Sequence, residues 1–160
     1  MNILVLGLSC SGKTTFSNNL GKLLNLQVYH LDSYFWKCAW ICNENFDINY
    51  FIGKQNSIID GNYFQYSFVE RIQQCDFVIY IDCNIFVRIL RMLKRHIFFK
   101  LKPNGKNAIS QKITPYFVIS TIHKHLFYQP QILRYLKSSY PHKLIYIKNV
   151  KNIQLGIQHD

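Results

Sequence analysis

The octapeptide Gly7-Leu8-Ser9-Cys10-Ser11-Gly12-Lys13-Thr14 constrains the fold of this chain more than any other feature. It matches the pattern G-x-x-x-x-G-K-[ST], whose two glycines permit backbone dihedrals that a side chain would forbid. Successive N–H groups of such a loop can converge on phosphate oxygens at the positive end of the following helix. The apolar run at 3–6 and the helical spacing of apolar residues at 13–24 predict a strand, this loop and then a helix.

Further apolar runs continue the alternation of strand and helix. Strands are predicted at 27–31, 57–60, 77–81 and 144–147, and helices at 46–55, 64–74 and 85–99, on either side of Pro130 and after Asn149. Strands that alternate with helices form a parallel sheet covered on both faces. The sequence therefore predicts an α/β protein.

Length and composition indicate a single packed domain over residues 1–160. The chain is 49% apolar and 17% charged, which suffices for one core and is unlike disordered chains. No stretch reaches the roughly 18 apolar residues of a membrane span, and no secretory leader is evident, so we expect a cytoplasmic protein without a membrane partner. Five cysteines without a Cys-x-x-Cys pair indicate reduced thiols, with structural zinc as the alternative.

Positive charge is concentrated in the second half of the chain. Residues 1–82 carry five basic and seven acidic side chains, whereas residues 83–160 carry fourteen basic ones and Asp160 as the single acid. Such a segment attracts polyanions. Three explanations stay open: the lid and phosphate clamp of a nucleotide enzyme, a nucleic-acid-binding face, or compositional drift.

The octapeptide also supplies side chains for a nucleoside triphosphate and its metal. Lys13 is expected to place its charge between the β- and γ-phosphates, and the Thr14 hydroxyl to ligate Mg²⁺. We therefore predict that the loop binds a nucleoside triphosphate together with Mg²⁺.

Carboxylates end three predicted strands, at Asp32, Asp60 and Asp82. Ligands of open α/β sheets bind beyond the carboxyl ends of the strands, so these acids should converge near the phosphates. Asp60 is favoured as the metal acid because Gly61 beside it allows close approach, and Asp32 is the candidate to accept the proton of an attacking hydroxyl. Each acid has the alternative role of a cap or strand terminus.

Three arginines and a cluster of aromatic residues complete the predicted site. Arg88, Arg91 and Arg95 share one helix face, where they would neutralise charge on a transferring phosphoryl group or form a solvated basic face. An acceptor pocket, or alternatively a part of the core, is predicted for Tyr34, Phe35, Trp36 and Trp40.

At these residues the chain resembles the small adenylate-kinase-like P-loop kinases, and among them the DNA topology modulation protein family. The resembling stretches are 7–14, 29–37, 58–63, 76–82 and 88–95. The more family-specific segments are Leu31-Asp32-x-x-x-Trp36 and Ile59-Asp60-Gly61-Asn62-Tyr63.

This resemblance implies a three-layer P-loop NTPase fold with a five-stranded parallel sheet in the order 2-3-1-4-5. It also implies a mobile basic lid at about 96–128. The region 100–128 departs from the family because it carries lysines and no arginine, and lysine is the poorer bidentate clamp, so weak activity is an expectation.

Site residues follow from the same resemblance. The nucleotide would contact Gly7, Ser9, Cys10, Ser11, Gly12, Lys13, Thr14 and Thr15, and Mg²⁺ would be held by Thr14 and Asp60. The acceptor would contact Asp32, Trp36, Gly61, Tyr63 and Arg71. Arg91 and Arg95 resemble the paired lid arginines, and 149–152 occupies the position of the adenine-contacting loop.

Two functions of different classes stay open from the sequence. The first is an ATP-dependent phosphotransferase that acts on a small hydroxyl or phosphate acceptor, with Lys13, Asp32, Arg91 and Arg95 as its catalytic residues. The second is an ATP-gated nucleic-acid-binding protein that uses the basic half. A GTP-dependent switch is disfavoured because the chain contains no Asn-Lys-x-Asp motif. No sequence feature predicts an oligomeric state.

Overall fold

A computed structural model describes residues 1–37, 41–101 and 115–148. Within these ranges, five strands form one parallel sheet in the order β2-β3-β1-β4-β5, which confirms the predicted fold and strand order. The strands are β1 Asn2–Leu6, β2 Gln27–His30, β3 Ser57–Asp60, β4 Phe77–Asp82 and β5 Leu144–Lys148. At the centre of the sheet, Val5 lies between Asp60 of β3 and Ile79 of β4.

Helices connect these strands and cover both faces of the sheet. In the described residues they are α1 Lys13–Leu24, α2 Leu31–Phe35, α3 Asn49–Ile52, α4 Phe68–Gln74, α5 Ile85–Leu101, α6 Pro115–His123 and α7 Gln129–Ser139. A π-helical turn, Lys124–Tyr128, joins α6 to α7. Over the described ranges, no helix is both long and apolar enough to cross a membrane.

The core consists of two apolar clusters, one on each face of the sheet. Leu4 and Leu6 of β1 belong to the larger cluster, whereas Ile3 and Val5 pack in the cluster with Phe16 of α1. This division follows from the alternation of side chains along a strand. Residues of β1 pack in both clusters, one on each face of the sheet. This packing fixes the position of the carboxyl end of β1, where the next loop begins.

Two helices are shorter in the structure than the sequence predicted. The helix predicted at 46–55 is reduced to Asn49–Ile52, and a local turn precedes it, in which the Asp47 carboxylate accepts a hydrogen bond from the Asn49 N–H at 2.9 Å. The prediction at 64–74 is reduced to Phe68–Gln74, because Ser67 has a φ of 43° and interrupts helical geometry.

Pro130 does not separate two helices as the sequence predicted. It lies in the first turn of α7, directly after the π-helical turn. Proline has no N–H to donate, and the Gln129 N–H bonds to the Lys124 carbonyl five residues earlier, so the chain continues as a helix through this point.

Several predictions lie outside the described residues. They are the acceptor-pocket role of Trp40, the turn at 103–105 within the predicted lid, the adenine-contacting loop at 149–152 and the terminal helix after Asn149.

Candidate functional site

The loop between β1 and α1 has the backbone of an anion-binding nest. Gly7 has a φ of 145°, Cys10 of 61° and Gly12 of 100°, and the Ser11 N–H donates to the Leu8 carbonyl at 3.2 Å. A Cβ atom at Gly7 would lie 2.4 Å from the carbonyl oxygen of Ile81, so no side chain fits there. Among the described residues, no side chain caps the start of α1, and its first N–H groups are oriented toward the loop.

Lys13 reaches back across this loop. Its ammonium group donates to the Leu8 carbonyl at 3.1 Å. Burial lowers the pKa of Lys13, and the carboxylates of Asp60 and Asp32 partly oppose that shift. The ammonium is therefore poorly solvated, and a nearby anion would stabilise its charged form.

Asp60 lies at the end of β3, beside the first turn of α1. Its Oδ2 accepts a hydrogen bond from the Thr14 hydroxyl at 3.1 Å and lies 2.8 Å from His30 Nδ1. Its Oδ1 is buried and has no hydrogen-bond partner among the described residues. Carboxylate and hydroxyl oxygens are the ligands that Mg²⁺ prefers, so the Thr14 hydroxyl and the Asp60 carboxylate, whose Oδ1 has no partner among the described residues, fit a magnesium ion.

His30 is part of the site although the sequence analysis assigned it no role. Its Nε2 lies 2.9 Å from Asn18 Oδ1, so the ring connects α1 to Asp60. The sequence contains little signal for this role, because the predicted strand at 27–31 continues past His30, whereas in the structure β2 ends at His30 beside Asp60 of β3.

Asp32 and Tyr63 form a hydrogen-bonded pair beyond the ends of β2 and β3. The Tyr63 hydroxyl donates to Asp32 Oδ1 at 2.6 Å. Burial raises the pKa of Tyr63, and the hydrogen bond to Asp32 raises it further, so the phenol retains its proton. Asp32 lies in the first turn of α2 and not at the end of a strand, because β2 ends at His30.

Arg71 binds the backbone of the segment that carries Tyr63. Its guanidinium donates to the carbonyls of Gly61 at 3.1 Å, Asn62 at 2.7 Å and Tyr63 at 2.9 Å. The residue is 2% exposed, and burial lowers its pKa to about 10. Substrate contact by Arg71 stays a prediction, since its described hydrogen bonds are with the backbone and its guanidinium lies over the Phe68 ring at 5.9 Å.

The three arginines of α5 have different surroundings. Arg88 Nε donates to the Ser9 carbonyl at 2.9 Å, and Arg91 Nη1 donates to the carbonyls of Cys10 at 3.2 Å and Ser11 at 3.0 Å. Because these arginines bind the carbonyls, they favour a loop whose N–H groups face the other way. The predicted contacts of Arg88 and Arg91 with a phosphoryl group remain predictions, as does that of the exposed Arg95.

A polar network connects Arg88 to the π-helical turn. Arg88 Nη1 lies 3.4 Å from His125 Nδ1, which lies 2.8 Å from Gln129 Oε1. The Gln129 amide donates to Asp82 Oδ1 at 2.6 Å, and Tyr146 donates to the other oxygen of the same carboxylate. Asp82 thus joins β4, β5 and α7, whereas Asp60 is the acid beside the loop.

Several basic side chains in the second half of the chain donate hydrogen bonds to backbone carbonyls of the protein itself. Arg88 and Arg91 contact the loop carbonyls, and Lys143 Nζ donates to the carbonyls of Ile72 at 3.1 Å, Gln73 at 2.8 Å and Cys75 at 2.8 Å. These three cations are occupied by protein groups. Nucleic-acid binding by the basic half stays a prediction from charge.

One cavity of about 1300 Å³ brings most of the predicted site residues together. Those that line it are Ser9, Cys10, Gly12, Lys13, Thr14, Thr15, Asp32, Phe35, Trp36, Asp60, Gly61, Tyr63 and Arg95. The predicted residues that are not among the described residues of its wall are Gly7, Ser11, Tyr34, Arg71, Asp82, Arg88 and Arg91. In the part of the chain that the structure describes, no group of three or more His, Cys, Asp or Glu side chains is arranged to hold a metal.

Comparison with known proteins identifies the fold. No protein-family model and no curated protein matches the chain. Shikimate kinase from Acinetobacter baumannii in complex with shikimate is 16% identical over 98% of this chain and 92% of its own, with a TM-score of 0.62. A sugar kinase from Janibacter sp. is 13% identical over 92% of this chain and 84% of its own, with a TM-score of 0.50. These similarities show the fold of the small P-loop kinases, and the narrower resemblance to DNA topology modulation proteins stays a prediction.

Proposed function

We propose that this chain is an ATP-dependent phosphotransferase that moves the γ-phosphoryl group of ATP to a small acceptor. The observation that carries the proposal is the convergence of three elements on one cavity. These elements are the anion nest before α1, the pair of Thr14 and Asp60, and the pair of Asp32 and Tyr63. Phosphoryl transfer needs little more than positioning and electrostatic stabilisation, and this arrangement offers both.

The nucleotide half of the site would bind the triphosphate through the loop. The N–H groups of 9–15 would donate to phosphate oxygens, and the Lys13 ammonium would exchange the Leu8 carbonyl for an oxygen of the β- or γ-phosphate. Thr14 and Asp60 would hold Mg²⁺, which supplies neutralisation of phosphate charge. Arg95 would add positive charge from the facing wall.

The acceptor half would position a hydroxyl against the γ-phosphorus. The acceptor oxygen bonds to that phosphorus, and the bond from phosphorus to the bridging β–γ oxygen breaks, which yields ADP and a phosphate ester. The proton of the hydroxyl passes to the Asp32 carboxylate and then to solvent. Tyr63 holds the carboxylate in place through its hydroxyl.

The similarity to shikimate and sugar kinases supports this assignment at the level of the fold, and the family resemblance of the segments at 29–37 and 58–63 supports it at the level of the site. We include the cytoplasmic location and the membership of the DNA topology modulation family in the proposal.

Acceptor-stimulated ADP release tests the proposal. The protein is incubated with ATP·Mg²⁺ and a panel of nucleosides, nucleotides, sugars and ring alcohols. We expect stimulated turnover that falls by about 10²–10³-fold in Lys13→Ala, because a charge that stabilises the transferring group is lost. Lys22→Ala, which removes an exposed cation from the last turn of α1, should leave the rate unchanged. The proposal is wrong if no acceptor stimulates turnover and ATP·Mg²⁺ leaves the melting temperature unchanged.

A further inference from the structure

We infer that His30 is a positioning residue for the magnesium site, because it occupies one oxygen of the Asp60 carboxylate and leaves the other oxygen free for the metal. The inference rests on the proposed function, in which Thr14 and Asp60 hold Mg²⁺. His30 is not among the described residues that line the cavity, so it would act through Asp60 and not by contact with a substrate.

A circuit of polar contacts joins α1 to the ends of β2 and β3. Thr14 Oγ1 donates to Asp60 Oδ2 at 3.1 Å, and His30 Nδ1 lies 2.8 Å from the same oxygen. On the other side of the ring, His30 Nε2 lies 2.9 Å from Asn18 Oδ1. Thr14 and Asn18 are one helical turn apart, so they lie on one face of α1 and close the circuit. Each side of the His30 ring is therefore held by a different element.

The strand register brings His30 and Asp60 together. β2 pairs with β3 in parallel, and His30 is the register partner of Asp60. Each residue is also the last of its strand. Because parallel strands present their carboxyl ends at the same edge of a sheet, the imidazole and the carboxylate meet beside the start of α1.

The two oxygens of the Asp60 carboxylate are used unequally. A carboxylate can only accept, so in the contact with His30 the proton is on Nδ1. Oδ2 thus accepts from both His30 and Thr14, and each carboxylate oxygen offers about two lone-pair sites, so Oδ2 is fully used. Oδ1 is buried and has no hydrogen-bond partner among the described residues. It is the oxygen that keeps its lone pairs free.

This free oxygen calls for a ligand. The Asp60 side chain is 5% exposed, so bulk solvent does not replace the missing donor, and an acceptor in that state destabilises the folded chain. The Thr14 hydroxyl gives its one proton to Oδ2 and keeps its own lone pairs. A divalent cation bound by Thr14 Oγ1 and Asp60 Oδ1 would satisfy both groups without breaking either hydrogen bond to Oδ2.

A tether of the fold is the alternative role for His30, since the ring also connects β2 to α1 through Asn18. The two roles differ in what they affect. A tether acts on the folded chain whether or not a metal is present, whereas a positioning residue acts on the part of nucleotide binding that depends on the metal. Removal of a hydrogen-bond partner that orients a metal ligand typically lowers metal affinity by about 10–100-fold.

The magnesium dependence of nucleotide binding tests the inference. Binding of a non-hydrolysable ATP analogue is measured by calorimetry in Mg²⁺ and in EDTA, and the ratio of the two dissociation constants is the metal-dependent gain. We expect His30→Leu to reduce this gain by about 10–100-fold and to leave the dissociation constant in EDTA unchanged. His142→Leu removes an exposed histidine that precedes β5 and should change neither value.

Two further variants separate the hydrogen bond from the bulk of the ring. Asparagine carries an NH₂ group on its γ-carbon, where histidine carries Nδ1, so His30→Asn retains a donor for Asp60 Oδ2. We expect this variant to recover most of the gain that His30→Leu loses. Asn18→Ala, at an exposed position of α1, leaves the donor in place but frees the far side of the ring. Its gain should fall between those of the wild-type chain and His30→Leu.

The outcomes distinguish this inference from the proposed function. Equal weakening of binding in Mg²⁺ and in EDTA would show a tether, and an unchanged gain in His30→Leu would show that Asp60 needs no support, so either result overturns the inference. A wild-type chain that binds the analogue equally in both conditions overturns it too. If His30→Leu does not fold, an unchanged gain in Asn18→Ala has the same consequence. A gain that is lost in His30→Leu, in a chain that phosphorylates no acceptor, would support the inference and contradict the phosphotransferase proposal alone.

Discussion

The side-chain amide of Asn62 makes two hydrogen bonds to the backbone of Gly7. Asn62 Oδ1 accepts from the Gly7 N–H at 3.1 Å, and Asn62 Nδ2 donates to the Gly7 carbonyl at 2.8 Å. The loop that follows β3 is in this way joined to the start of the anion nest. Because Arg71 binds the Asn62 carbonyl, the same segment is also held from the other side.

Asn62→Ala removes both bonds and leaves two partly buried polar groups of Gly7 without their partner. We expect the free energy of unfolding to fall by about 1–3 kcal/mol and the stabilisation by ATP·Mg²⁺ to weaken. Urea denaturation with and without the nucleotide measures both effects. Asn45→Ala at an exposed loop position should change stability by less than about 0.5 kcal/mol. Equal stability of the two variants would contradict the role of the amide.

Arg71→Ala distinguishes support of the backbone from contact with substrate. Three carbonyls lose a charged donor, and Tyr63 has a φ of 36° that the surrounding contacts must maintain. We expect the free energy of unfolding to fall by about 2–4 kcal/mol, measured by urea denaturation. Arg134→Ala, an exposed arginine of α7, serves as the control. A raised acceptor KM with unchanged stability would instead indicate direct substrate contact.

Arg88→Lys retains the charge but cannot span the Ser9 carbonyl and His125 together. The loss of a charge-assisted bond to the loop should raise KM for ATP about tenfold and leave KM for the acceptor unchanged. Steady-state ADP release measures both constants, and Lys94→Ala on the exposed face of α5 is the control. A lowered kcat with unchanged KM would show that Arg88 acts on the transition state, as the sequence analysis predicted.

We expect Cys75 to make the free energy of unfolding depend on pH in the alkaline range. Burial raises the pKa of its thiol from 9.0 to about 11, although the Lys143 ammonium partly opposes the shift. Between these pH values the folded chain keeps a proton that the unfolded chain releases. The contribution of Cys75 to the free energy of unfolding is therefore complete below pH 9. It is lost as the pH rises to 11, and the total loss is about 2–3 kcal/mol.

Cys75→Ala removes this contribution to the pH dependence. Urea denaturation at pH 8 and pH 10.5 should show a smaller loss of stability for Cys75→Ala than for the wild-type chain. Cys42→Ala replaces an exposed cysteine, and this variant should lose as much stability between the two pH values as the wild-type chain. The same loss in all three proteins would rule out Cys75 as the source.

Most strands could be predicted because their signal is local. The apolar run before Gly7 and the runs that end at Asp60 and Asp82 each contain the information for a buried strand within a few residues. The short helices were overestimated for a different reason. The chain leaves helical geometry at Ser67, and the adjoining loop is held by Arg71, whose bonds to the carbonyls of 61–63 no local pattern reveals.

The sequence by itself determined the strand, loop and helix around Lys13. The apolar run, the two glycines and the helical spacing that specify them are adjacent in the sequence, so no contact with distant residues is needed to predict them. It also indicated the fold, because alternating strands and helices have few ways to pack. Only the tertiary structure decided that Arg88 and Arg91 bind loop carbonyls some 80 residues away, and that Arg71 is buried under Tyr63. A long charged side chain has the same local pattern whether it faces a ligand or a carbonyl, and the packing of distant elements selects between the two.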